Sequence, residues 1–169
     1  MLAGLDLAQL ERVIDVNFLG TVFMIKAFLP GLLTRPQAHI LNVASMAACV
    51  PVPGQVAYSA SKAAVKALSE GLHSELHGTS VGVTLACPGA VATDLAVNSG
   101  VSLPGAGAAG SRIRTMTANT AARIMIDAIE AGKPRVMVGT DAVCMDILSR
   151  LSPRLAAGVI RRVMRSILR

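Results

Sequence analysis

From Leu10 onward the apolar positions recur in steps of three and four: Leu10, Val13, Ile14, Phe18, Val22, Ile25 and Phe28. On an α-helix that period gathers them into one stripe, so the chain is predicted to open with a long amphipathic helix. Asp6 followed by Gln9 has the form of a capping box at its start, and Pro30-Gly31 is expected to kink or end it near its last turn. The pattern then changes. Residues 39–45 (HILNVAS) and 81–87 (VGVTLAC) are short, β-rich and apolar without alternation, as suits strands buried on both faces of a parallel sheet.

Between these strands, 46–55 holds Pro51, Pro53 and Gly54 and reads as a loop. Residues 58–77 read as a second helix, whose Ala60, Ala63, Ala64 and Ala67 allow close approach to a sheet. Pro88-Gly89 stops the second strand. Residues 98–110, rich in Gly, Ala and Ser, predict a flexible loop. A third helix is expected over 117–131, closed by Gly132, then a third short strand at 135–138 (RVMV) and a mostly helical extension over 141–169. Helices alternating with strands predict an α/β fold with a parallel sheet and helices on both faces. With about three strands, the first, 39–45, is expected to show a bare apolar edge.

Composition narrows the function. At 53% hydrophobic and 15% charged the chain has ample core material, and at 2% aromatic that core must be aliphatic. The net charge of +6 is uneven, with Arg150, Arg154, Arg161, Arg162, Arg165 and Arg169 crowding the C-terminus. Without aromatics beside them these arginines do not make a stacking surface for nucleic acid. They oppose a stripe of Leu155, Val159, Ile160, Val163, Met164, Ile167 and Leu168. Contact of 154–169 with an anionic membrane is one use of such a stripe, and packing on the protein is preferred. Cys49, Cys87 and Cys144 are odd in number, far apart along the chain and without metal spacing, which points to reduced thiols in the cytoplasm. The N-terminus carries Asp6, Glu11 and Asp15 and lacks a basic-then-apolar signal pattern. The uncharged run 39–61 is broken by Asn42, Pro51, Pro53 and Gly54 and is not read as a membrane span.

The chemistry centres on Tyr58 and Lys62, four residues apart and therefore on one helix face. A neighbouring ammonium favours phenolate, and a place in the first turn of a helix adds the dipole, so the phenol is expected below its ordinary value and able to trade a proton with an alcohol or carbonyl. A tyrosine and lysine at this spacing are, alone, more often a solvated surface pair. Ser45 stands thirteen residues earlier at a strand end, Asn17 lies near the apolar face of the first helix, and Pro88-Gly89-Ala90-Val91-Ala92-Thr93 follows the second strand.

Together, VNFLG around Asn17, ILNVAS ending at Ser45, YSASK at 58–62 and CPGAVATD at 87–94 resemble, in order and spacing, the successive motifs of the short-chain dehydrogenase/reductase family. The resemblance implies a partial Rossmann-like doubly wound sheet, in one truncated domain over 1–169. It implies an oxidoreductase interconverting an alcohol and a ketone or aldehyde with NAD or NADP. Tyr58 resembles the catalytic acid/base and Lys62 the residue that lowers its pKa and binds the nicotinamide ribose. Ser45 resembles the group that stabilises the substrate oxygen, and Asn17 the holder of a water linking Lys62 to solvent. Pro88, Gly89, Val91 and Thr93 resemble the wall of the nicotinamide pocket. Taken singly, Asn17 could satisfy a kinked backbone, Ser45 a helix or turn cap, and Pro88-Gly89 a turn.

The family's Gly-rich T-G-x-x-x-G-x-G turn, where a helix N-terminus binds pyrophosphate, does not occur before Asn17, and Gly105, Gly107 and Gly110 follow no strand. The chain is therefore expected to lack the front, cofactor-binding half and to be weak or inactive alone, through a truncated gene, a start assigned at an internal Met, or a missing half in a separate chain. Loops 46–55 and 94–116, apolar and small, suggest a lipophilic substrate. Homo-oligomers or pairing with related subunits are expected. A competing reading is a non-catalytic fragment that associates with such subunits through its two long helices, and a nucleotide-sugar epimerase ranks lower. His73 and His77 share a helix face but have no third ligand in view, so no metal is expected.

Overall fold

The opening helical stretch is continuous but not uniform. In the computed structural model, which describes residues 2–92 and 115–167, α1 (Leu7–Ile14) passes into a π-helical turn, Asp15–Leu19, and on into α2 (Gly20–Leu33). A π turn adds a residue to the hydrogen-bond ladder and swings the following face around the axis. Asp6 occupies the N-cap position with extended backbone but makes no side-chain cap bond, so the expected capping box does not form; its exposed carboxylate is left to water. Pro30 sits inside α2, which runs on to Leu33. The carbonyl that Pro30 cannot serve belongs to exposed Lys26, where water can take the lost bond. By length and composition the helix Leu7–Leu33 is long and apolar enough to cross a membrane. Here it lays Ile25, Leu29 and Leu32 against the sheet.

After α2 come β1 (Ala38–Val43), α3 (Val56–Glu75), β2 (Val81–Pro88), the short β3 (Val91–Ala92) and β4 (Met116–Thr117), α4 (Ala118–Glu130), β5 (Arg135–Val138), α5 (Thr140–Leu151) and α6 (Pro153–Ile167). The main sheet has the order β1-β2-β5, and β3 pairs with β4 in a second, two-stranded sheet. All pairings are parallel: Ala38 faces Val81, Val43 faces Ala86, and Leu85 to Pro88 face Arg135 to Val138. The strand alternation of β2 serves two faces. Val83, Leu85 and Cys87 point to the side of α2 and α3, where Leu72 and Val65 meet them. Ala86 points the other way, to Ala121 of α4. Helices on both faces of a parallel sheet are the predicted α/β arrangement.

Among the described residues β1 pairs with β2 alone, leaving the expected bare edge, and Val43 at its end is 43% exposed. A groove of about 620 Å³ runs between this edge and the first helix, lined among others by Met24, Phe28, Leu41 and Val43.

The C-terminal stripe divides. Ala156, Ile160 and Met164, one turn apart, pack on Ala47, Val50 and Val52 of the loop after β1. Leu155, 62% exposed, and Val159 and Val163 lie one residue round the helix and face outward. Packing thus accounts for one row of the stripe. The glycine-rich stretch 98–110 lies outside the described residues.

Candidate active site

Ser45 and Tyr58 meet beyond the carboxyl end of β1. Ser45 leaves the strand with extended backbone and caps a short 3-10 turn, Met46–Ala48, its Oγ accepting from Ala47 N at 3.1 Å. Tyr58 is the third residue of α3, close enough to the Ser45 hydroxyl for that group to favour its phenolate. It packs against the cluster formed by the loop and α6. Burial pushes its phenol above the ordinary value, while the Ser45 hydroxyl pulls the other way. The direction differs from the expected lowering: the Lys62 ammonium lies 5.9 Å from the Tyr58 ring centroid, and burial is the largest cause of the shift. Lys62 is itself held low by burial, and its Nζ donates to the carbonyl of Val43 at 3.0 Å.

Asn17 falls within the π turn. Its Nδ2 donates to Ser61 Oγ at 3.0 Å, and Ser61 Oγ donates to the carbonyl of Tyr58 at 2.8 Å. The amide therefore reaches the neighbour of Lys62 and, through it, the backbone of Tyr58. Ser61 is fully buried and was not singled out by the sequence; a small polar residue inside YSASK is the one sign of it.

The segment after β2 is held through its main-chain groups. Gly89 N donates to Val138 O at 2.9 Å, Ala90 N to Asp141 Oδ2 at 2.8 Å, and Met116 N to Ala90 O at 2.9 Å. Pro88 lies opposite Val138 and Val91 opposite Met116. A Cβ at position 89 would collide with the Asp141 carboxylate, so the close approach requires glycine. Asp141 was another residue the sequence reading passed over; its signal is an acid in the first turn of a helix directly after a strand. Thr93 lies outside the described residues. Ser45, Tyr58 and Lys62 are thus brought together, with Asn17 one residue removed and Pro88, Gly89 and Val91 at the end of the adjacent strand. Among the described residues no three His, Cys, Asp or Glu side chains gather as a metal site.

The family model described as short chain dehydrogenase matches residues 1–102. The chain belongs to this family. It is similar to dehydrogenase/reductase SDR family member 7B of Mus musculus, 32% identical over 164 residues that cover 92% of this chain and 48% of that protein. Among solved structures it is similar to a short chain dehydrogenase from Burkholderia cenocepacia J2315 in complex with NADP. That match is 26% identical with a TM-score of 0.73, over 87% of this chain and 56% of that one. A short chain dehydrogenase/reductase from Burkholderia phymatum in complex with NAD is 25% identical with a TM-score of 0.69, over 84% and 57%. The chain spans about half the length of the curated relatives it matches.

Proposed function

We propose that this chain carries the catalytic portion of an oxidoreductase that interconverts an alcohol and a ketone or aldehyde with NAD or NADP. The observation that carries the reading is the Lys62 ammonium 5.9 Å from the Tyr58 ring, with the Ser45 hydroxyl close enough to favour the phenolate. The phenol of Tyr58 gives a proton to the substrate oxygen in reduction and takes one in oxidation. Ser45, close to that phenol, donates to the same oxygen as negative charge grows on it. Lys62 would hold ribose hydroxyls with its ammonium, and Asn17 would hold a water that links Lys62 to solvent.

The donor set fits the nicotinamide riboside end of a dinucleotide: hydroxyl, phenol and ammonium stand beyond the carboxyl end of a parallel strand, where open α/β sheets hold ligands. When bound, the nicotinamide supplies or accepts the hydride. Pro88, Gly89 and Val91 would wall its ring. Relatives solved with NADP and with NAD support either form. Apolar side chains beside Tyr58, among them Met46, Val50 and Ile160, favour a lipophilic substrate. Exposed Phe23, Met24 and Phe28 on α2 offer a surface for association with a second subunit, and a reduced, cytoplasmic setting suits the free thiols.

These 169 residues contain no Gly-rich pyrophosphate turn, so the chain alone binds whole dinucleotide weakly and turns over slowly; micromolar NAD or NADP binding by isothermal titration contradicts that part. Nicotinamide mononucleotide, which dispenses with the adenine half, tests the site itself. Its cationic ring is expected to draw the titration of Tyr58 downward, and Lys62→Met to weaken that response. A Tyr58 titration indifferent to millimolar mononucleotide removes the proposal.

A further inference from the structure

Cys49 packs against the cluster of Ala44, Val65, Leu85 and Cys87, and each thiol shifts the titration of the other. Cys87 is completely buried at the end of β2, whereas Cys49 is half-buried at the end of the 3-10 turn that Ser45 caps. Arg135 of β5 donates from Nη2 to Cys49 Sγ at 3.2 Å and to Asp146 Oδ1 at 2.6 Å. The Asp146 carboxylate, also bonded to Arg150 at 3.1 Å, fixes the guanidinium beside the sulfur. The buried Nε of Arg135 has no hydrogen-bond partner among the described residues.

We propose that Cys49 and Cys87 form an oxidation site, in which Cys49 is attacked by a hydroperoxide and Cys87 resolves the product to a disulfide. The Cys49 thiolate attacks one peroxide oxygen; an S–O bond forms and the O–O bond breaks. Cys49 becomes a sulfenic acid and hydroxide leaves to be protonated by solvent. The Cys87 sulfur then displaces the hydroxyl: the S–S bond forms, the S–O bond breaks, and the Cys87 proton departs with the hydroxyl as water. Two thiols are oxidised by two electrons and the peroxide is reduced to two waters.

The charges facing the pair support this division of labour. The neighbouring Cys87 thiol and the Arg135 and Lys66 cations bring the Cys49 thiol down to about 7, against burial and the Asp146 carboxylate, while the neighbouring Cys49 and burial push Cys87 up. The lowering gives Cys49 more thiolate character than an ordinary thiol at neutral pH. A disulfide here would tie the turn after Ser45 to the residue before Pro88. It would thereby couple the redox state to both sides of the proposed active site, although the thiol chemistry does not depend on that site's reaction.

The test treats the reduced chain with stoichiometric hydrogen peroxide, alkylates remaining thiols under denaturant and maps the peptides by mass. The expected product is a Cys49–Cys87 cross-link lighter by two hydrogens, reversed by dithiothreitol, with exposed Cys144 fully alkylated. Cys87→Ala is expected to leave a sulfenic acid at Cys49 that dimedone captures. The native protein gives an independent readout: the alkylation rate of Cys49 should rise with a midpoint near 7. Oxidation of Cys144 ahead of Cys49, recovery of Cys49 and Cys87 both as free thiols, or a Cys49 midpoint at 9.0 overturns the proposal.

Discussion

The amide of Asn17 donates to Ser61 Oγ at 3.0 Å, and that hydroxyl donates onward to the carbonyl of Tyr58 at 2.8 Å. A side chain from the π turn of the first helix thus reaches, through one buried hydroxyl, the first turn of α3, where Tyr58 stands. The extra residue of the π turn rotates the helix locally, which is how an otherwise apolar face presents an amide here.

Ser61→Ala removes the middle of this link. It leaves the Asn17 amide without its acceptor and the Tyr58 carbonyl without a second donor. The expected loss of stability is about 1–3 kcal/mol by urea denaturation. A change under about 0.5 kcal/mol, the range of neutral surface substitutions, would show the link to be idle.

Tyr58 is the single tyrosine of the chain, so near-ultraviolet phenolate absorbance reports it without interference. The midpoint is expected above 10.0, because burial prevails over the Ser45 hydroxyl. Ser45→Ala should move it higher still, since the serine favours phenolate. The linkage sign follows: a folded-state value raised above the unfolded one contributes stability that is present below the unfolded value and lost as pH rises through the folded one. A midpoint below 10.0 in the reduced, substrate-free protein contradicts this balance.

Gly89→Ala would drive a methyl into the Asp141 carboxylate and break its bond to Ala90 N. A loss of about 1–3 kcal/mol is expected for it and a similar one for Asp141→Ala. The two act on one contact, so the double variant should lose less than the sum. Strict additivity in a double-mutant cycle would show that Asp141 is not what excludes a side chain at 89.

Ile160→Ala loosens the hold of α6 on Val50 and Val52, next to which Tyr58 packs. Deleting a buried aliphatic side chain of this size costs about 2–5 kcal/mol. Tyr58 fluorescence should also become more open to quenching by acrylamide. Unchanged quenching with an intact helix would mean that α6 does not shelter the phenol.

Much of the fold is legible in the chain. The apolar runs at 39–45 and 81–87 locate β1 and β2 within a residue or two, and 135–138 is β5 as it stands. The shortfalls have physical causes. A stripe read at 3.6 residues per turn cannot reveal an inserted residue, so the π turn around Asn17 stayed hidden. Pro30 lies, as expected, in the last turn of α2, and the carbonyl it leaves unserved is on the wet side. Asp6 has the residue type of a cap without making the bond, because exposed carboxylates have water as a competing donor.

Spacing along the chain was enough to put Tyr58 and Lys62 on one helix face and Ser45 at a strand end, because helical and strand periods are local properties. The balance at Tyr58 was not, since desolvation depends on what packs around the ring, here a loop and α6 from opposite ends of the sequence. The meeting of Cys49 and Cys87 was equally hidden. Parallel neighbours bring the segments beyond their carboxyl ends side by side, so residues remote in sequence become partners once β1 and β2 pair in register.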